Sequence, residues 1–138
     1  MTLEQWLQEY DLSHRHPVNI RIHKICVPAI VFALLGLLYS VPAPLNPAWL
    51  AVAAGLLFYW RLGRAPAVAM AVLCLPMLLA LDIIARAGLP LAWPALLLFA
   101  VAWVGQFVGH AIEGKKPSFL RDLQFLLIGP LWTLRRWL

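Results

Sequence analysis

Four long runs of apolar residues, near positions 25–41, 45–60, 67–85 and 91–112, are divided by short clusters of Pro, Gly and Arg. A helix that crosses a bilayer needs about 20 apolar residues in succession, with a range of about 17–25. The runs therefore predict four spanning helices, the second short enough to require little tilt or a locally thinned bilayer. The breaks read as tight helix–helix connections: Pro42-Ala43-Pro44 with Pro47, Arg61-Leu62-Gly63-Arg64 with Pro66, and Arg86-Ala87-Gly88-Leu89-Pro90. The last stretch, Ser118 to Leu138, is apolar but interrupted at Arg121-Asp122, Gly129-Pro130 and Arg135-Arg136. That pattern suits an interfacial or re-entrant helix better than a fifth span. The expected architecture is one all-α membrane domain over residues 1–138, a polytopic helical bundle of about four spans. It has a polar N-terminal segment at 1–24 and an interfacial segment at 113–138.

Composition supports the bundle. Of the 138 residues 63% are hydrophobic and 12% charged, against about 45–50% and about 25% in a soluble domain. Residues 1–24 carry Glu4, Glu9 and Asp11 in their first half, not a basic region followed by an apolar core, so no cleavable signal peptide is expected there. The net charge of +5 comes from basic residues placed between apolar runs, with neither a basic face nor a stacking platform for nucleic acid. Arg15, Arg21, Lys24, Arg61, Arg64, Lys115, Lys116, Arg121, Arg135 and Arg136 all fall on one side of the predicted topology, and Arg86 alone falls on the other. Basic residues in short loops are retained on the cytoplasmic side. The expectation is a bacterial inner-membrane protein with both termini in the cytoplasm, in contact with membrane lipids.

Single residues within the spans read as structural. Asp82 lies four residues before Arg86, one helical turn, where a local ion pair satisfies it. Trp49, Trp60, Trp93, Trp132 and Trp137 sit near span ends, where amphipathic rings anchor a helix at the interface. Cys26 and Cys74 show neither a CxxC nor a Cys/His metal spacing and are expected to be packed thiols.

The histidines carry the chemistry. His14, His16, His23 and His110 all fall at the cytoplasmic ends of the first and fourth spans. Pro17 suits the first turn of a helix, which places Asn19 and His23 on one face and lets His14 and His16 fold back from the preceding loop. Gln106, His110 and Glu113, at i, i+4 and i+7, share a face of the fourth span, and Gly109 permits close approach of another helix. Histidines with a carboxylate at one depth form a ligand set for ferrous iron, zinc or manganese. A polar hydrogen-bonded network and a proton or ion pathway remain alternative readings of the same residues.

Two blocks sharpen this: His14-x-x-Pro17-x-Asn19-x-x-Ile22-His23-x-x-x-Val27-Pro28 and Trp103-x-x-Gln106-Phe107-x-Gly109-His110-x-x-Glu113-x-x-x-Pro117. Together they resemble the signatures of a family of small bacterial and fungal membrane proteins that includes the Fe(II)-dependent 2-hydroxy fatty acid dioxygenase of phytosphingosine degradation. The resemblance runs the length of the chain. It departs at Cys26, where the family pattern often has glycine. It implies a dioxygenase that takes a 2-hydroxy fatty acid and O2 and yields a fatty acid one carbon shorter. His14, His23 and His110 are then metal ligands, with Glu113 as ligand or hydrogen-bond acceptor, His16 as a further candidate, and Gln106 and Asn19 as orienting neighbours. Lys115, Lys116, Arg15 or Arg21 are candidates to pair the substrate carboxylate, although contact with anionic headgroups is the commoner role of such residues. The competing expectation is a non-catalytic lipid-binding or scaffold protein with a structural histidine site, and a small transporter ranks below both because its spans are nearly free of polar groups.

Overall fold

The computed structural model describes residues 1–114 and 125–138. These form α1 (Leu3–Asp11), α2 (Pro17–Tyr39), α3 (Pro47–Leu62), α4 (Arg64–Arg86), α5 (Ala92–Glu113) and α6 (Ile128–Thr133), followed by a 3-10 turn at Arg135–Trp137. Lys115, Lys116, Pro117 and the Arg121-Asp122 break lie outside the described residues.

The apolar runs are helices, and α2, α4 and α5 are long and apolar enough to cross a membrane. The second run differs in kind, since α3 has 16 residues, about 24 Å at 1.5 Å per residue against a hydrocarbon core of about 30 Å. Among the described residues, three membrane-length helices and one shorter apolar helix are therefore present where four spans were expected. Pro17 and Pro47 occupy the first turns of α2 and α3, where a missing N–H costs nothing, and His16 and Asn46 cap those helices with side-chain acceptors. One residue, Gly63, joins α3 to α4 at φ 146°, a conformation that a side chain rarely permits.

The helix α2 also starts eight residues before the apolar run it contains, so His23 lies inside a continuous helix. It packs antiparallel on α5 through small residues. A Cβ at Gly36 would sit 3.0 Å from Ala95 Cβ, and one at Gly105 would sit 2.5 Å from Cys26 Sγ. One at Gly109 would overlap Asn19 Oδ1. The sequence Gly105-Gln106-Phe107-Val108-Gly109 is thus a small-xxx-small contact, and it draws α5 against the α2 face that carries Asn19 and His23.

The N-terminal segment is more ordered than its polarity suggests. Thr2 and Gln5 form a reciprocal capping box at the start of α1, and Leu7 and Tyr10 are buried on one face. That face meets α6, in which Ile128 to Trp132 are all buried. Trp132 is therefore not an interfacial anchor: it is 6% exposed, and its indole N–H donates to Asp11 Oδ1 at 2.7 Å. Arg135 pairs with the other carboxylate oxygen of Asp11. Trp49, Trp60, Trp93 and Trp137 do remain exposed.

At the far end of the bundle Asp82 is fully engaged. Tyr39 O–H donates to Oδ1 at 2.6 Å, and Arg86 Nε donates to Oδ2 at 2.8 Å. This joins the C-terminal ends of α2 and α4, about 24 Å along α2 from His23. Asp82→Asn should therefore lower the melting temperature slightly and leave turnover unchanged, as paired thermal-melt and activity assays would establish; loss of turnover in a folded variant would place function at both ends.

Candidate metal centre

Three imidazoles meet where the turn after α1, the first turns of α2 and the last turns of α5 converge. Ring centroids lie 4.2 Å apart for His14 and His23, 5.4 Å for His23 and His110, and 6.1 Å for His14 and His110. All three side chains are buried. They come from three different elements, so the fold and not local spacing brings them together.

Hydrogen bonds set two of the ring orientations. His14 Nδ1 lies 2.7 Å from the Tyr10 carbonyl oxygen, and His23 Nδ1 lies 3.1 Å from that of Asn19. A carbonyl only accepts, so each Nδ1 carries the proton and each Nε2 presents a lone pair. This is the usual tautomer of a metal-ligating histidine, with the non-ligating nitrogen held by a carbonyl. His14 Nε2 is buried and has no hydrogen-bond partner. Tyr10 stacks on the His14 ring at 4.1 Å and 5°, and Trp132 approaches that ring to 5.2 Å. Burial, the largest influence on His14, pushes its pKa below the ordinary value and keeps the imidazole neutral.

Glu113 secures the loop that carries His14. Its Oε1 accepts from Arg15 N–H at 2.6 Å, from His16 N–H at 2.5 Å and from Asn19 Nδ2 at 3.1 Å. The carboxylate thereby sits at the N-terminus of α2, where a negative charge also suits the helix dipole. Asn19 is completely buried, and its Nδ2 lies 3.4 Å from Ser13 O as well. His16 is exposed, and its Nδ1 accepts from Val18 N–H as the helix cap. Gln106 is buried one turn before His110. Its Oε1 and Asn19 Oδ1 are two further buried oxygens without a partner.

Among the described residues, no three His, Cys, Asp or Glu side chains form a finished metal-binding geometry. The residues nevertheless fit one by their chemistry. Two neutral imidazoles have fixed tautomers, one Nε2 is orphaned in a buried place, and a third imidazole faces both rings. A buried polar atom without a partner costs about 1–3 kcal/mol, and a cation among these rings would relieve that cost.

Sequence spacing did not reveal Tyr10, Asp11 or Trp132 as parts of this surrounding shell. The signal was the period of Leu3, Trp6, Leu7 and Tyr10, apolar positions at i, i+3, i+4 and i+7 that mark α1 as amphipathic. Glu113→Ala should free the turn at residues 13–16 and reduce metal affinity and turnover by about 10–100-fold, the usual effect of losing an orienting neighbour. Glu113→Gln, which keeps an acceptor oxygen, should fall between. Equal metal affinity in all three proteins would show that the carboxylate does not position His14.

Comparison with known proteins follows the same residues. A family model described as 2-hydroxy-palmitic acid dioxygenase Mpo1-like matches residues 1–138. The 2-hydroxy-palmitic acid dioxygenase MPO1 of Saccharomyces cerevisiae is 33% identical, in an alignment that covers 97% of this chain and 78% of the yeast protein. No solved structure matches the chain.

Proposed function

This chain belongs to the Mpo1-like family, and from that premise we propose that it is an Fe(II)-dependent dioxygenase that shortens 2-hydroxy fatty acids by one carbon at a membrane. The observation that carries the reading is the meeting of His14, His23 and His110, with His14 Nε2 buried and unpartnered. In this scheme the three histidines hold the iron. Glu113 and Asn19 hold the loop and helix that present two of them, and Gln106 offers a buried oxygen near the third. Bound ferrous iron supplies redox chemistry with O2 and open positions for oxygen donors.

The overall conversion balances without another reductant. A 2-hydroxy acid and O2 give the acid one carbon shorter, CO2 and water; the bond between C1 and C2 breaks, C2 becomes a carboxyl carbon, and the four electrons removed reduce O2. The protein's own part is to orient and to exclude water. Tyr10 and Trp132 cover the His14 ring, which keeps the imidazole neutral and limits access of solvent to the reacting end of the acid. The alkyl chain stays among apolar side chains. Exposed Arg15 and Arg21 flank this end of α2 and are suited to attract the carboxylate.

Ten of the eleven Lys and Arg residues fall on the side of both termini in the expected topology, the bias that favours a site on the cytoplasmic face of the membrane. Purified protein supplied with Fe(II), O2 and 2-hydroxypalmitate should release pentadecanoate and CO2 in equal amounts. A metal-loaded, folded protein that binds the acid without converting it would instead support a lipid-binding role.

A further inference from the structure

An apolar pocket is bounded by α2, α3, α4 and residues 126–130, with a cavity volume of about 130 Å³. Its walls include Ile30 and Leu34 of α2, Val52 and Gly55 of α3, Met70 of α4, and Pro130. The polar group of Tyr59 in this lining is already used, since its O–H donates to the Leu127 carbonyl at 2.8 Å. The pocket thus offers nothing to a charged headgroup and a continuous apolar surface to an alkyl chain.

Its position ties it to the metal centre. His23, Val27, Ile30 and Leu34, at i, i+4, i+7 and i+11, form one stripe along α2, so the stripe that presents an imidazole continues directly into the pocket wall. The partition between the two is thin. A Cβ at Gly129 would sit 3.1 Å from Tyr10 Oη and 3.5 Å from Val27, while Tyr10 stacks on His14 and the next residue, Pro130, lines the pocket. Gly55 opens the wall midway along α3: a Cβ there would meet Tyr59 at 3.8 Å, an ordinary contact, so a larger side chain has room to project into the space.

We propose that this pocket is the chamber for the alkyl tail of the 2-hydroxy acid, and that the absence of a side chain at Gly55 sets the length of chain it accepts. The proposal rests on the function given above. The acid's head lies at the histidines, its chain follows the α2 stripe to Ile30 and Leu34 once the contact of Gly129 with Tyr10 and Val27 parts, and its methyl end reaches the level of Gly55.

The test uses full-length protein in nanodiscs loaded with Fe(II) under O2, with 2-hydroxypalmitate and 2-hydroxyoctanoate compared for wild type and Gly55→Leu. Filling the chamber should lower kcat/KM for the long acid by about tenfold or more, the scale of a steric change in an apolar pocket, and leave the short acid nearly unchanged. An equal effect on both acids, or none on either, overturns the proposal while the oxygenase reading stands. A second measurement needs neither turnover nor a variant: palmitic acid with a diazirine near its methyl end should label Leu34, Val52 or Met70 in wild type, in competition with 2-hydroxypalmitate. Label confined to exposed positions such as Val68 and Val101 overturns the chamber. Pocket labelling in a protein that converts neither acid supports the chamber and rejects the oxygenase.

Discussion

His23→Ala is expected to abolish turnover of a 2-hydroxy fatty acid while the helices remain folded. His23 is 1% exposed, and its ring lies closer to both other imidazoles than those two lie to each other. Removing it takes away a nitrogen donor with a fixed tautomer and leaves only His14 and His110 of the three imidazoles. The helix itself does not depend on the ring, whose Nδ1 bonds to a carbonyl one turn back in the same helix. Circular dichroism and gel filtration should match wild type, and product should fall to background. A folded variant that retains full turnover would remove the imidazole from the reaction.

The second large effect is expected at Gly109. Any side chain there meets Asn19 Oδ1 and approaches His23 Cε1 to 3.3 Å, so Gly109→Leu must push α5 away from α2. Overpacking of this kind costs about 1–3 kcal/mol. The chemical penalty is larger than the loss of stability suggests, because a displacement of about 1 Å can cost about 10²-fold in rate. His110 is the residue next to Gly109, and Glu113 is one turn on; both would move with the helix. Thermal melting together with kcat should show activity falling far more than stability at permissive temperature. Unchanged kcat would mean that the close approach of α2 and α5 does not position the histidines.

Much of this was legible in the apolar pattern. The positions of α2, α4 and α5 follow from runs long enough to span a bilayer, and Pro17 marked the helix that carries Asn19 and His23. The second expected span already read as short, and α3 is apolar throughout yet closes at Gly63, where a positive φ ends the helix at 16 residues. The first and last segments were harder. The helix α1 is polar on average and becomes a structural element only through its capping box and its contact with α6. Trp132 carried the composition of an interface residue, and its actual place depends on Asp11, which lies 121 residues earlier in the chain. The facing positions of Gln106, His110 and Glu113 were readable from helical period. What the period did not reveal is that Glu113 Oε1 bonds to the 15–16 backbone and to Asn19.

The most direct test is the metal content of protein purified without chelators or added metals, measured by elemental analysis for wild type, His23→Ala and His110→Ala. The account predicts near-stoichiometric iron in wild type and little in either variant; no bound metal in wild type, even after anaerobic reconstitution with Fe(II), or equal iron in all three, would contradict it.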